Sequence, residues 1–185
     1  MGSNSNTIYD IIILGAGVSG IGMAHSLLRE KDQTFLILEK NDGVGGTWRN
    51  NTYPGLCCDV PSHFYSYSFS MNPNWSKTFP EQYEILEYLE SVTDKFKIRP
   101  HIKFNSEVKE SKYNQKDKYW ETFLSDGEVF RSRSLVSGLG QLNKPKYPEI
   151  IGLKDFNGHS FQSAQWDHCL LYTTPSQRDS MTSRM

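Results

Sequence analysis

The sequence predicts an α/β fold built on a parallel sheet. Three observations carry this. Ile8 to Leu14 (IYDIIIL) is a near-continuous apolar, β-branched run, the pattern of a central parallel strand buried on both faces. Ser19 to Glu30 follows with Ile21, Ala24, Leu27 and Leu28 at helical spacing. Thr34 to Leu38 (TFLIL) is a second apolar run. Strand, helix and strand make one β-α-β unit, whose crossover is right-handed in nearly all known cases.

The remaining elements follow in order. Residues 40–80 are rich in Gly, Asn, Pro, Ser and aromatics and hold no sustained period. A stretch that long inside a compact domain is uncommon unless it is functional. Pro80 can stand in the first turn of a helix, where its missing N–H costs nothing. Ile85, Leu89, Val92 and Phe96 then keep one face to about residue 97. Ile102 to Val108 and Tyr119 to Leu124 read as strands. Asp126-Gly127 is a hairpin turn signal before a strand at Val129 to Arg133. Ser134 to Gly138 reads as one more buried strand, and Pro145, Pro148 and Gly152 mark a linker. The predicted organisation is a disordered leader at 1–7, a domain at 8–143, a linker at 144–168 and a disordered tail at 169–185. The polar composition from Cys169 onward suggests a truncated or mis-spliced end.

Composition excludes several functions. Lys and Arg number 20 against 21 Asp and Glu, so there is no electrostatic case for nucleic acid. The longest apolar run falls far short of the roughly 20 residues a membrane span needs. The first residues carry no secretory signal pattern. Three cysteines, two of them adjacent, make neither a disulfide framework nor a metal-ligand spacing. The expected setting is reducing and cytoplasmic, with no metal.

The chemistry concentrates in Gly15-x-Gly17-x-x-Gly20, between the first strand and the first helix. Gly15 permits the tight turn, Gly17 lets backbone approach a pyrophosphate, and Gly20 lets the helix pack close on the strand. The helix N-terminus then faces the phosphates with its partial positive charge. Glu39 ends the second strand, the place of a carboxylate that accepts from ribose hydroxyls. It would repel a 2′-phosphate, which disfavours NADP here and leaves NAD or FAD. Gly45-Gly46, separated from Glu39 by five residues, allow a second backbone approach to the nucleotide.

At this point the sequence resembles the two-dinucleotide-binding flavoproteins, and within them the flavin-containing and Baeyer–Villiger monooxygenases. The resemblance rests on GAGVSG (15–20), EKNDGVGGTW (39–48), YPGLCCDVPSHFYSYSF (53–69) and FPEQYEILEYLE (79–90), within residues 8 to 168. It implies a Rossmann-like FAD-binding domain whose parallel sheet is interrupted by an antiparallel β excursion, to which the hairpin region 102–133 is similar. Its implied cofactor contacts are Gly15, Ala16, Gly17, Val18, Ser19, Gly20, Glu39, Lys40, Gly46, Thr47, Trp48, Asp59, Tyr65, Val108 and Gly138. Asp59 would lie close to the flavin ring, with Tyr53 and Tyr65 in the same lining. Val108 would touch the adenine end through backbone, and Gly138 would pass beside the pyrophosphate. Core packing is the expectation for Phe64 and Phe69.

The linker carries the family's subtype signature with one departure. Phe156, Gly158, Trp166 and Asp167 match the Baeyer–Villiger pattern, but Gln162 stands where that pattern has His. An amide bonds hydrogen but takes no proton near neutral pH. His159 and His168 miss the register and read as lone surface residues. No second glycine motif follows Gly20, so an NADPH site is expected to be absent, and no catalytic residue is assigned. The function expected from the resemblance is the FAD-binding portion of an NADPH-using monooxygenase. Such an enzyme would use O₂ on a small-molecule substrate, with N- or S-oxygenation or ketone oxidation as its reaction. A non-catalytic FAD-binding or interaction domain is the alternative, and a complementary chain or self-association the expected partner. A stand-alone NAD-dependent dehydrogenase ranks last, because it leaves residues 45–69 unexplained.

Overall fold

A computed structural model describes residues 7–30 and 32–169. The leader up to residue 6 and the tail from residue 170 lie outside the described residues. Six strands form one sheet: β1 (Ile8–Leu14), β2 (Phe35–Leu38), β3 (Ile102–Lys103), β4 (Val108–Asn114), β5 (Tyr119–Leu124) and β6 (Val129–Ser137). Their spatial order is β3-β2-β1-β6-β5-β4. β3, β2, β1 and β6 run parallel, and β5 and β4 add antiparallel pairs on the far side. The helices are α1 (Val18–Arg29), the single turn α2 (Thr47–Asn50) and α3 (Gln82–Lys95).

Alternation along β1 explains the layering. Ile11 and Ile13 point to one face, where they pack with Ile21, Ala24 and Leu27 of α1 and Ile85, Leu89 and Val92 of α3. Ile12 and Leu14 point to the other face and join Leu38, Leu124 and Phe130 in a smaller cluster. Both long helices therefore cover the same side of the sheet.

The sheet corrects four expectations. The run from Ile102 to Val108 is not one strand. β3 ends at Lys103, Asn105 turns through the left-handed region (φ 52°), and β4 begins at Val108 on the opposite edge of the sheet. Conversely, the two strands expected at 129–133 and 134–138 are one, β6. Its first half pairs with β5 and its second half with β1. The antiparallel excursion is thus a continuation of the parallel sheet. Pro80 precedes the helix instead of opening it, since α3 starts at Gln82 behind an N-cap at Glu81. Phe64 is 80% exposed and packs in no core, whereas Phe69 stacks on His25 and Tyr67.

Candidate functional site

The β1–α1 turn, the end of β2 and the 42–46 loop meet at one place. Gly15 adopts φ 94°, a conformation that a side chain disfavours, and its N–H donates to the Leu38 carbonyl at 2.8 Å. A Cβ on Gly20 would stand 1.9 Å from the Gly15 carbonyl oxygen, so α1 reaches β1 only because residue 20 has no side chain. Gly138, just past β6, closes the same corner. Its N–H donates to the Leu14 carbonyl at 2.8 Å, and a Cβ on it would crowd Leu14 and Gly20 backbone.

Gly17 is different. Its backbone is extended (φ −83°), open to any residue, and a Cβ there would meet nothing closer than the Gly46 Cα at 3.6 Å. The fold has room for alanine at 17. Gly17 also caps α1 without any side-chain bond, and the first turn holds no acid. The unpaired N–H groups of that turn keep their partial positive charge for an anion. Val18 and Ser19 in it are exposed.

Across from Gly17 stands Gly46, at φ 54° and ψ −120°, where a Cβ would come within 3.1 Å of the Gly17 Cα. The Gly45 N–H donates to the Ala16 carbonyl at 3.0 Å and ties the two loops together. Two glycines thus meet at a junction where bare backbone lets the two loops approach closely.

Glu39 lies beneath, 3% exposed. Its Oε2 accepts from the Ala16 N–H at 2.7 Å, and Oε1 accepts from the Asn41 N–H and the Asn41 side-chain amide, both at 2.9 Å. The sequence points this carboxylate to ribose hydroxyls; in the structure its partners are the glycine turn and Asn41. Three donors on four acceptor positions leave Oε2 able to take one more. Asn41 was not singled out from sequence. Its signal was an amide two residues beyond a strand-end acid, where a side chain bonds back to the chain.

Other expected contacts scatter. Lys40 is exposed and Thr47 half-buried in α2. Trp48 is a core residue whose Nε1 donates to the Tyr65 hydroxyl at 2.8 Å. Burial pushes the Tyr65 phenol up, and the Trp48 bond offsets part of that. Asp59 is exposed beside Tyr65. Val108 packs against the cluster of Ile12, Leu14 and Leu38 on the sheet's second face. Tyr67, also not singled out, donates from its hydroxyl to the Val18 carbonyl at 2.5 Å and braces the first turn of α1. Burial pushes the Tyr67 phenol up as well.

In the linker, Gln162 accepts from the Ala164 N–H at 3.1 Å and caps a short turn. The two histidines are not lone. His159 Nε2 lies 3.4 Å from the Asp167 carboxylate, and His168 Nε2 lies 2.9 Å from the Thr52 hydroxyl. The Trp166 ring sits against Tyr53 and Phe161, so the linker folds back on the 52–53 segment. Among the described residues there is no cluster that could hold a metal ion, and no helix is long and apolar enough to cross a membrane.

A glycine turn, an uncapped helix start and a buried strand-end acid define a dinucleotide-binding α/β domain. The family model for pyridine nucleotide-disulphide oxidoreductase matches residues 12–170. The chain belongs to that family. Among curated proteins it is 43% identical over 158 residues to a Baeyer-Villiger monooxygenase of Pseudomonas aeruginosa and 46% identical over 158 residues to one of Streptomyces coelicolor. Each match takes in 85% of this chain and 30% of the relative. Among solved structures, cyclohexanone monooxygenase from Rhodococcus sp. Phi1 bound to NADP+ superimposes with a TM-score of 0.79 at 38% identity, over 88% of this chain and 31% of that one. The OTEMO complex with FAD and NADP gives 0.78 at 36% identity, over 86% and 30%. The chain spans about 30% of the length of the curated relatives it matches.

Proposed function

We propose that this chain is the FAD-binding portion of a flavin-dependent, NADPH-using monooxygenase. Gly17 carries the reading. A glycine that the backbone does not require, in close contact with a second glycine, supports bare backbone that a pyrophosphate could approach at the start of α1. The residues present fit FAD. The N–H groups at the start of α1 would hold the pyrophosphate, the free acceptor of Glu39 the adenosine ribose, and Gly138 the near wall. Val108 would stand toward the adenine and Asp59, Tyr65 and Tyr53 toward the ring system. Glu39 stands against a 2′-phosphate, which supports FAD over NADP at this junction.

When bound, FAD would supply the redox and oxygen chemistry, which in a flavin-dependent monooxygenase serves N- or S-oxygenation or the oxidation of a ketone. This chain's own residues bind and orient the adenosine half and give the pyrophosphate a site in place of water. The small-molecule substrate, O₂ and the NADPH site belong to the whole enzyme. A complementary chain or a second copy would be the partner, and the three free cysteines suit a reducing, cytoplasmic setting. Gln162 in place of the signature His favours one second reading, a domain that holds FAD without turning it over.

The test is a titration of the purified chain with FAD, followed by anaerobic mixing with NADPH. Saturable flavin binding is expected. Flavin reduction at about 1 s⁻¹ or faster, the ordinary enzymatic range, is not expected from these 185 residues alone. Saturable binding of NAD with none of FAD would overturn the reading in favour of a dehydrogenase.

A further inference from the structure

The 42–46 loop is shaped around one side chain, Arg49 of α2. Its Nε donates to the Val44 carbonyl at 2.7 Å, Nη2 donates to Glu90 of α3 at 2.6 Å, and Nη1 lies 3.4 Å from Asp42. The guanidinium lies flat on Gly43. A Cβ there would fall 2.2 Å from Nη2 and 2.3 Å from Cζ. The loop is hemmed at its other end too, for a Cβ on Gly45 would come 2.5 Å from a methyl carbon of Leu86 on α3. A planar fork can serve a carbonyl and a carboxylate at once while lying on a bare Cα; a lysine ammonium cannot. The far side of the same loop carries the Gly45 N–H bond to Ala16 and the Gly46 approach to Gly17.

We propose that Arg49 is a positioning residue: anchored on Glu90 and seated on Gly43, it fixes the loop so that Gly46 stands against Gly17, and through that spacing it sets the affinity of the dinucleotide site. The Arg49 backbone N–H donates to the Gly46 carbonyl at 3.1 Å, while its guanidinium bonds Val44, Asp42 and Glu90 and not the two junction glycines. The affinity half of this statement rests on the FAD reading above; the loop half rests on the protein alone.

Arg49→Met removes the fork. Gly43→Ala keeps Arg49 and its charge but takes away its seat. Both are made in the full chain, with the double variant, and two quantities are read: hydrogen exchange of the Gly45 amide without ligand, and the FAD dissociation constant. Each single variant is expected to speed Gly45 exchange and raise the dissociation constant by about tenfold, the scale of one lost charge-assisted bond. The double variant should do no more than either single one, because both break the same device. Arg49→Lys should not restore wild-type behaviour. Unchanged Gly45 exchange, or effects that add in the double variant, would overturn the proposal. Wild-type protein that binds no FAD would instead fail the functional reading, and Gly45 exchange would still decide the role of Arg49. If Arg49→Met does not fold, Glu90→Gln loosens the same anchor from α3 and is expected to shift both quantities in the same direction.

Discussion

Gly17 and Gly20 stand three residues apart in one motif, yet the structure assigns them opposite reasons for being glycine, and alanine at each position separates the two. At Gly17 the new methyl would sit 3.6 Å from the Gly46 Cα, ordinary contact, on a backbone with φ −83°. Alanine at an N-cap costs about 0.5–1 kcal/mol against glycine. Reduced freedom of the unfolded chain returns about 0.4–1 kcal/mol where the backbone is compatible. The net change in stability should therefore lie within about 1 kcal/mol, and the melting temperature should barely move. The same methyl covers backbone that, on the proposed reading, the pyrophosphate approaches. Losing one charge-assisted bond there, about 1.5–3 kcal/mol, raises the FAD dissociation constant by roughly 10- to 150-fold. At Gly20 the methyl would be 1.9 Å from the Gly15 carbonyl oxygen, so α1 has to move off β1. Overpacking of that kind costs about 1–3 kcal/mol and sometimes more, and Gly20→Ala should melt well below wild type. Thermal unfolding and flavin titration of both variants decide it. A Gly17→Ala protein that melts as low as Gly20→Ala, or that binds FAD like wild type, would refute the reasoning.

Glu39→Gln keeps the shape but replaces one acceptor by an N–H₂ that must face either the Ala16 or the Asn41 donors; urea titration should show a loss of about 1–3 kcal/mol, and FAD binding should weaken by at least about tenfold. His25 lies against Phe69 and Phe96, and burial, helped by Arg29, holds its imidazole below the ordinary value of 6.5. The folded state then binds fewer protons, so the stability His25 contributes is present above 6.5 and declines as pH falls through that value toward its folded pKa. His25→Phe should flatten the slope of melting temperature against pH in that window, and an unchanged slope would count against the assignment. Trp48→Phe leaves the Tyr65 hydroxyl without its donor; the double-mutant cycle with Tyr65→Phe should give a coupling of about 1 kcal/mol in chemical denaturation.

What the sequence makes legible here is what is local. β1 is found at Ile8–Leu14 because its apolar run is unbroken, and the glycine turn because its spacing lies within six residues. β6 reads as two pieces because Arg131, Ser132 and Arg133 interrupt the apolar pattern. In space Ser132 is buried between two neighbouring strands, and Arg131 pairs with Glu121 across the antiparallel side. Asn105 looks like any polar residue between apolar ones, yet its left-handed turn sends the chain from one edge of the sheet to the other. Around the site, the glycines that line the junction stand at a fixed short spacing, whereas the bonds that hold it join residues far apart in sequence. Arg49 reaches a carboxylate 41 residues away on α3, and Tyr67 reaches a carbonyl 49 residues back. Such distances carry no period and no spacing rule.

The central claim is that FAD is held at the meeting of Gly17, Gly46 and Glu39, and amide NMR of the ¹⁵N-labelled chain titrated with FAD reports on that place directly. Saturable shifts are expected at Gly17, Val18, Ser19 and Gly46, matched by ADP for the nucleotide half of the cofactor. Binding of FAD that leaves those amides unmoved, or that shifts only residues elsewhere on the sheet, would contradict it.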